Sequence, residues 1–261
     1  MSRTVDVPQT QSPVKAHVFF NGQLGKFSVL RGDNPEIQEI AFPFSFVVLD
    51  ADTHKVGGKL GLEKNDPKFK STLGHPKYGR VLKVWLENDP NNIIATGTWG
   101  GIKNNPALSK ARFTALIFSL ADFGDGKEIC CIHLHGRAYS AWLEAIKNTN
   151  PCGDHCFIVR KTNSMAGGKG AASLVPFFET GNVSPETIAL AEQADFDLQG
   201  WLSDQFLSEA KELGIAAAGA TRSDATYQNG NSTRSNATEV PFPTVDAGHN
   251  FENNLPDDLP F

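Results

Sequence analysis

Two kinds of side chain gather in the middle of this sequence in a pattern suited to an anionic polymer of flat rings. Lys55, Lys59, Lys64, Lys68, Lys70, Lys77, Arg80 and Lys83 fall within one segment in which only Glu63 and Asp66 carry the opposite charge, and Phe69, Tyr78 and Trp85 are interleaved among them. A second group, Lys103, Lys110, Arg112 and Phe113, follows Trp99, and a third comprises Arg160, Lys161 and Lys169. Cationic groups neutralise phosphates, and aromatic faces stack on unpaired bases at about 1–3 kcal/mol per base. If the fold brings the groups together, they make a sequence-tolerant groove for single-stranded nucleic acid. Phe44, Phe46, Phe118, Phe157 and Trp142 sit in apolar surroundings and are assigned to the core, which leaves Trp85 and Trp99 as the better stacking candidates.

Other chemistry is less well supported. Cys152-Gly-Asp-His155-Cys156 offers thiolates and an imidazole at short spacing. Alternation along 128–135 puts Cys131, His133 and His135 on one face, where Cys131 and His133 could complete a tetrahedral zinc set. Free cysteine is more often a small buried hydrophobe, so no metal and no cofactor is expected. A metal-dependent nuclease needs paired carboxylates, and Asp50 with Asp52, or Asp122 with Asp125, lie at strand ends or turns where acids are common without function. Gly167-Gly-Lys-Gly170 lacks the spacing of a phosphate-binding loop. Without a nucleophile and base in a recognisable arrangement, the chain is expected not to be an enzyme.

The elements that must position these groups read as strands. Ala16–Phe20 and Lys26–Leu30 flank an Asn-Gly turn signal. The apolar run Phe42–Asp50 reads as a strand covered on both faces. Ala51–Tyr78 reads as a long polar loop. Along Arg80–Glu87 a period of two turns Leu82, Val84 and Leu86 inward and leaves Lys83 and Trp85 on the other face, and Ile93–Trp99 pairs with it. Arg112–Leu120 and Glu128–His135 flank a Gly-Asp-Gly turn; Tyr139–Asn148 is a helix packed through Trp142, Leu143 and Ile146. Cys156–Thr162 and Ala172–Glu179 close the β-rich part, and Ser184-Pro185 caps a helix that runs towards Leu213, with Gly200 a point of interruption.

No apolar run of about 20 residues and no apolar block near the N-terminus is present, so a soluble, cytoplasmic protein without membrane partners is expected. From Ile215 onward the composition turns to Ala, Gly, Ser, Thr and Asn, with six acids against two arginines, a net −4 out of −5 for the whole chain. Such a segment cannot bury enough apolar area to offset its ordering entropy. The expected organisation is a flexible arm at 1–13, a β domain at 14–183, a helical extension at 184–213 and a disordered acidic tail at 214–261. The tail ends in Leu255-Pro-Asp-Asp-Leu-Pro-Phe261, an aromatic beside a terminal carboxylate and two aspartates, suited to an apolar pocket rimmed by Arg or Lys.

These last residues carry a resemblance. Asp257, Asp258, Leu259, Pro260 and Phe261 look like the acidic tip of bacterial single-stranded DNA-binding proteins, which in that family recruits replication and repair enzymes. Over roughly residues 16–180 the body resembles instead the single-stranded DNA-binding proteins of tailed bacteriophages, through Phe42-Pro-Phe-Ser-Phe-Val-Val-Leu-Asp50 and Gly136-Arg-Ala-Tyr-Ser-Ala-Trp142. The resemblance implies an OB-type β-barrel, a coat on single strands during replication, recombination and repair, and, if phage-encoded, residence in a bacterial cytoplasm. A strand-annealing or scaffold protein of a recombination system, acting as an oligomer, is a third class beside the coat and the metal-dependent nuclease.

Overall fold

The structure, a computed structural model, describes residues 11–32, 36–61, 63, 65–165 and 173–212. The tip Asp257–Phe261, the rest of the expected tail from 214, and Lys64 and Lys169 lie outside the described residues, as does most of the expected arm.

Local pattern accounts for most elements. Strands β1 (Ala16–Asn21) and β2 (Lys26–Arg31) form the expected hairpin. In its turn, Asn21 Oδ1 accepts hydrogen bonds from the backbone of Gln23 and Leu24. Short β3 (Gln38–Ile40) pairs with β2. Strand β4 (Phe44–Gly57) is longer than expected, since pairing continues beyond Asp50 through Thr53 and Val56, whose side chains are buried. The segment expected to be one long loop therefore holds the end of β4 and a short strand β5 (Phe69–Ser71). Strands β6 (Leu82–Leu86) and β7 (Ala95–Gly97) follow, with Leu82 and Val84 fully buried as alternation predicts. Helix α1 (Trp99–Ile102) and a 3-10 turn at Pro106–Leu108 lead into β8 (Arg112–Asp122), β9 (Lys127–His135) and helix α2 (Gly136–Ile146). Strands β10 (His155–Met165) and β11 (Ser173–Asn182) form a last hairpin, and helix α3 (Pro185–Glu212) ends the described chain. Ser184 Oγ accepts from the Thr187 backbone as an N-cap, and Gly200 does not interrupt α3.

Eight strands form one curled sheet in the order β11-β10-β4-β8-β9-β1-β2-β3, and β5-β6-β7 form a separate small sheet. All neighbours in the large sheet are antiparallel except β1 and β9, which run parallel. Phe27 of β2 and Phe178 of β11 lie near opposite ends of the strand order yet share one apolar cluster, linked through Phe44 and Phe46 at ring separations of 5.4–6.4 Å. Only a sheet that curls around that cluster brings such distant strands together. The curl is tied across its opening, where the backbone of Leu174 in β11 donates to Gly22 in the first hairpin turn at 2.9 Å. Gly25 in that turn has φ +65°, and an added Cβ would meet Leu174 Cδ1 at 2.6 Å, so glycine permits this approach.

Helix α2 fills the concave side. Trp142, 1% exposed, contacts Phe46, Phe157 and Phe178. Leu143, expected on the same face, is 39% exposed. One residue on from Trp142 is about 100° around a helix, so the face that buries Trp142 and Ala138 turns Leu143 out. The convex side is covered by α3, whose Ala194, Leu198, Leu202 and Phe206 pack on Val47, Leu49, Leu116, Phe118 and Cys131. The helical extension thus shares a core with the sheet. A third cluster, Val56, Phe69, Leu82, Val84, Ile102 and Leu108, joins the small sheet to the end of β4. The protein is mainly β with a helical C-terminal part, and no helix among the described residues is long and apolar enough to cross a membrane.

Candidate nucleic-acid interface

The sequence groups meet where β4 ends and β8 begins. Gly58, just after β4, has φ +102°, and a Cβ there would lie 2.7 Å from the Lys110 carbonyl and 3.4 Å from Arg112 Cγ. Backbone contact this close, open only to glycine, sets the Lys59 strand end against Lys110 and Arg112. Lys59 in turn forms a bridge with Lys68. Members of the first and second groups therefore share one border of the molecule.

Rings line that border. Phe113 stands 6.1 Å from Trp99, 5.3 Å from Tyr139 and 5.1 Å from His54, measured between ring centroids. Phe113 and Tyr139 rest against the concave core, and Trp99 rests against the core of the small sheet, so the series spans the junction of the two. All four keep part of their surface in water. Trp99 opens α1 behind its N-cap Thr98, and exposed Lys103 follows the same helix. Nothing in the sequence marks Tyr139 as a member of this border, and the signal for His54 is the alternation that puts it on the face of Val56. Burial, outweighing a hydrogen bond to the Asp52 carbonyl, holds the His54 imidazole below its ordinary range. Burial, helped by the charge of Asp52, raises the Tyr139 phenol. Asp52 is thus a local anion at this border, as is Asp66, which lies beside Gly61 in the turn between Lys59 and Lys68.

Other expected members lie elsewhere. Phe69 is 2% exposed and belongs to the small-sheet core, so its face is closed to a base. Its burial follows from pairing with Leu86 on β6, a partner that sequence order does not reveal. Lys70 and Trp85 are paired across β5 and β6 and share the outer face of the small sheet with Lys83, on the side opposite Trp99. Lys70 is ion-paired with Glu87 at 3.1 Å. Tyr78 donates to Gln199 Oε1 at 2.7 Å and stacks on Phe206, so it anchors α3, and Lys77 lies over its ring. Arg80 is exposed near this contact in the chain.

The two described members of the third group, Arg160 and Lys161, do not join. Val159 pairs with Phe44 at the start of β4, so Arg160 and Lys161 lie about a full strand length, roughly 40 Å, from Lys59 beyond its other end. Arg160 pairs with Glu179, and Lys161 lies over Phe177.

The expected Cys/His set also divides. Cys152 Sγ is 3.4 Å from the Leu49 carbonyl and Cys156 Sγ 3.6 Å from that of Asn182, and neither they nor His155 converge with Cys131 and His133. Among the described residues the converging group is Cys131, His133 and His17, the last missed because the β1–β9 pairing joins positions over a hundred residues apart.

No family model, curated protein or solved structure matches this chain.

Proposed function

We propose that this protein binds single-stranded DNA without sequence preference along the border where Lys59, Lys68, Lys103, Lys110 and Arg112 flank the ring series Trp99, Phe113, Tyr139 and His54. The observation that supports it most is this ring cluster, in which Trp99, Tyr139 and the His54 imidazole each stand 5.1–6.1 Å from Phe113 beside clustered cations. Stacking is sequence-tolerant because every base has a π-face, and the lysines supply counterion release. Trp85, Lys70 and Lys83, on the outer face of the small sheet, lie apart from this path.

On this reading the curled sheet is an OB-type barrel, a fold that tolerates partial opening. The concave apolar core, the tie from Leu174 to Gly22 and the antiparallel hairpins are in keeping with it; the separate β5–β7 sheet is an addition. The tip Asp257–Phe261 would recruit replication, recombination or repair proteins, and the chain would act as a coat in a bacterial cytoplasm rather than as an enzyme.

Titration with oligo-dT tests the reading. Stacking on Trp99 quenches tryptophan emission, the affinity falls steeply with salt, and a labelled oligonucleotide is shifted but stays intact with Mg²⁺. Unchanged emission with no complex at low salt refutes it, and cleavage of the label moves the protein to the nucleases.

A further inference from the structure

On the convex face, parallel pairing sets His17 of β1 directly beside Cys131 of β9, with Phe19 beside His133. Residues paired across neighbouring strands share a face, as do positions two apart in one strand. His17, Cys131 and His133 therefore project from one patch of two adjacent strands, with their ligand atoms all within 4.8 Å of one another. We propose that His17, Cys131 and His133 bind one zinc ion, with a water molecule in its fourth position. This site is independent of the DNA-binding reading and departs from the expectation of no metal.

The spacing fits. Two nitrogens on a tetrahedral zinc lie roughly 3.3 Å apart, and nitrogen and sulfur roughly 3.6 Å, given Zn–N of about 2.0–2.1 Å and Zn–S of about 2.3 Å. His17 Nδ1 and His133 Nε2 are already 3.1 Å apart, so the imidazoles stand at ligand separation, and the thiolate needs to close by about an ångström. The donor set is one soft sulfur and two imidazoles, which suits zinc better than the hard oxygen-seeking cations.

The surroundings favour a held ion. Phe19 stacks on His133 at 4.6 Å and 29°, which fixes the plane of that imidazole. Cys131 and His133 are 2% and 8% exposed, whereas His17 faces solvent, so the site has dry walls and one open side for entry. Binding replaces the His17–His133 hydrogen bond, and the Cys131 thiol releases its proton to solvent. Lys55 is the opposing group: its charge is felt by all three side chains, and its flexible stem must carry the ammonium away as the metal enters. Since the ligands come from residue 17 and residues 131 and 133, the ion clamps the N-terminal hairpin to β9 across the sole parallel pairing among the described strands, closing a loop of more than a hundred residues.

The test uses the full chain stripped with a chelator and titrated with Co²⁺, then Zn²⁺. We expect one Co²⁺ per chain, thiolate-to-cobalt absorption in the near ultraviolet, four-coordinate d–d bands, and displacement by Zn²⁺. His17→Ala alters an exposed side chain, so it should fold, as far-ultraviolet circular dichroism will show, and lose at least about 10-fold in affinity. Cys131→Ser should abolish the charge-transfer band, and Cys152→Ala/Cys156→Ala should bind as the parent does. Absence of stoichiometric metal, undiminished binding by folded His17→Ala, or loss of binding in the Cys152/Cys156 variant each overturns the assignment.

Discussion

His75 donates its Nε2 proton to Asp50 Oδ2 over 3.0 Å while its Nδ1 accepts the Lys77 backbone N–H at 3.0 Å, which fixes both the tautomer and the turn before Tyr78. Asp50 Oδ1 accepts both the backbone and the hydroxyl of Thr53, so every donor around this buried carboxylate has a partner. Asp50→Asn keeps the shape but turns one N–H of the amide towards a donor. An unsatisfied buried donor costs about 1–3 kcal/mol, and denaturant unfolding should show a loss of that size. The pH profile follows with it. Burial alone would raise the Asp50 carboxyl, but the bonds from His75 and Thr53 outweigh it and hold the group below its ordinary range. A depressed carboxylate contributes stability that is present above its unfolded value, about 3.9, and is lost as pH falls through the folded value. Acid unfolding of the parent should therefore steepen below about pH 4, and Asp50→Asn should flatten that limb; an unchanged limb would count against the pair.

The ring series makes the second prediction. Trp99→Leu and Tyr139→Ala each remove one stacking face at an edge of the core, and at about 1–3 kcal/mol per base each should weaken oligo-dT binding roughly 5- to 150-fold. Trp85→Leu, on the opposite side of the small sheet, should change affinity by less than about twofold. Equal losses at Trp85 and Trp99 would put the strand on both sides of the small sheet.

Local patterns in this sequence announce their elements, whereas pairings between distant segments do not. Hairpins were readable because period-two alternation and turn residues are local: β6 buries Leu82 and Val84, and β8 and β9 meet around Gly124-Asp-Gly126 as their sequence implies. Phe44, Phe46, Phe118, Phe157 and Trp142 are core, as their apolar neighbourhoods suggest. What failed depends on distant partners. Strand β4 continues past Asp50 because β8 is there to pair with Thr53 to Gly57. Phe69 is buried because Leu86 lies across from it, and His17 joins Cys131 through a parallel pairing that nothing near residue 17 announces. Clustering of lysines in the chain likewise told which cations are numerous, but the bond paths through β4 decided which are neighbours.

Salt dependence separates those neighbours from the rest. Each phosphate contact on a single strand contributes about 0.7 to the slope of log affinity against log salt. Lys110→Ala should reduce the slope by about that amount. Arg160→Ala, whose guanidinium is engaged by Glu179 at the far end of β4, should leave it unchanged. A slope that drops equally in both variants would show that the strand runs the length of the sheet.

Removal of Asp257–Phe261 tests the tip. A tethered polyanion competes with DNA for the same cations at an effective concentration that reaches the millimolar range. Deletion should leave oligo-dT affinity unchanged or raise it severalfold, while abolishing the capture of replication or recombination enzymes that is expected of the full-length protein. A large loss of DNA affinity would make the tip part of the DNA site.

Gly58 links the fold to the interface, and its replacement should separate strain from geometry. Alanine at φ +102° is strained, and its Cβ would also press on the Lys110 carbonyl at 2.7 Å and on Arg112, so the β4 end and the start of β8 must move apart. Gly124 provides the control: φ is +108°, but nothing lies within 4 Å of an added Cβ. Both alanine variants should lose about 1–3 kcal/mol of stability from the backbone alone. Only Gly58→Ala should also weaken oligo-dT binding, because only there does relief of the clash displace Lys59 from Lys110 and Arg112 and shift Phe113 against Trp99. Melting curves and titrations of the two variants check this directly, and equal affinities would detach the β4–β8 junction from DNA binding.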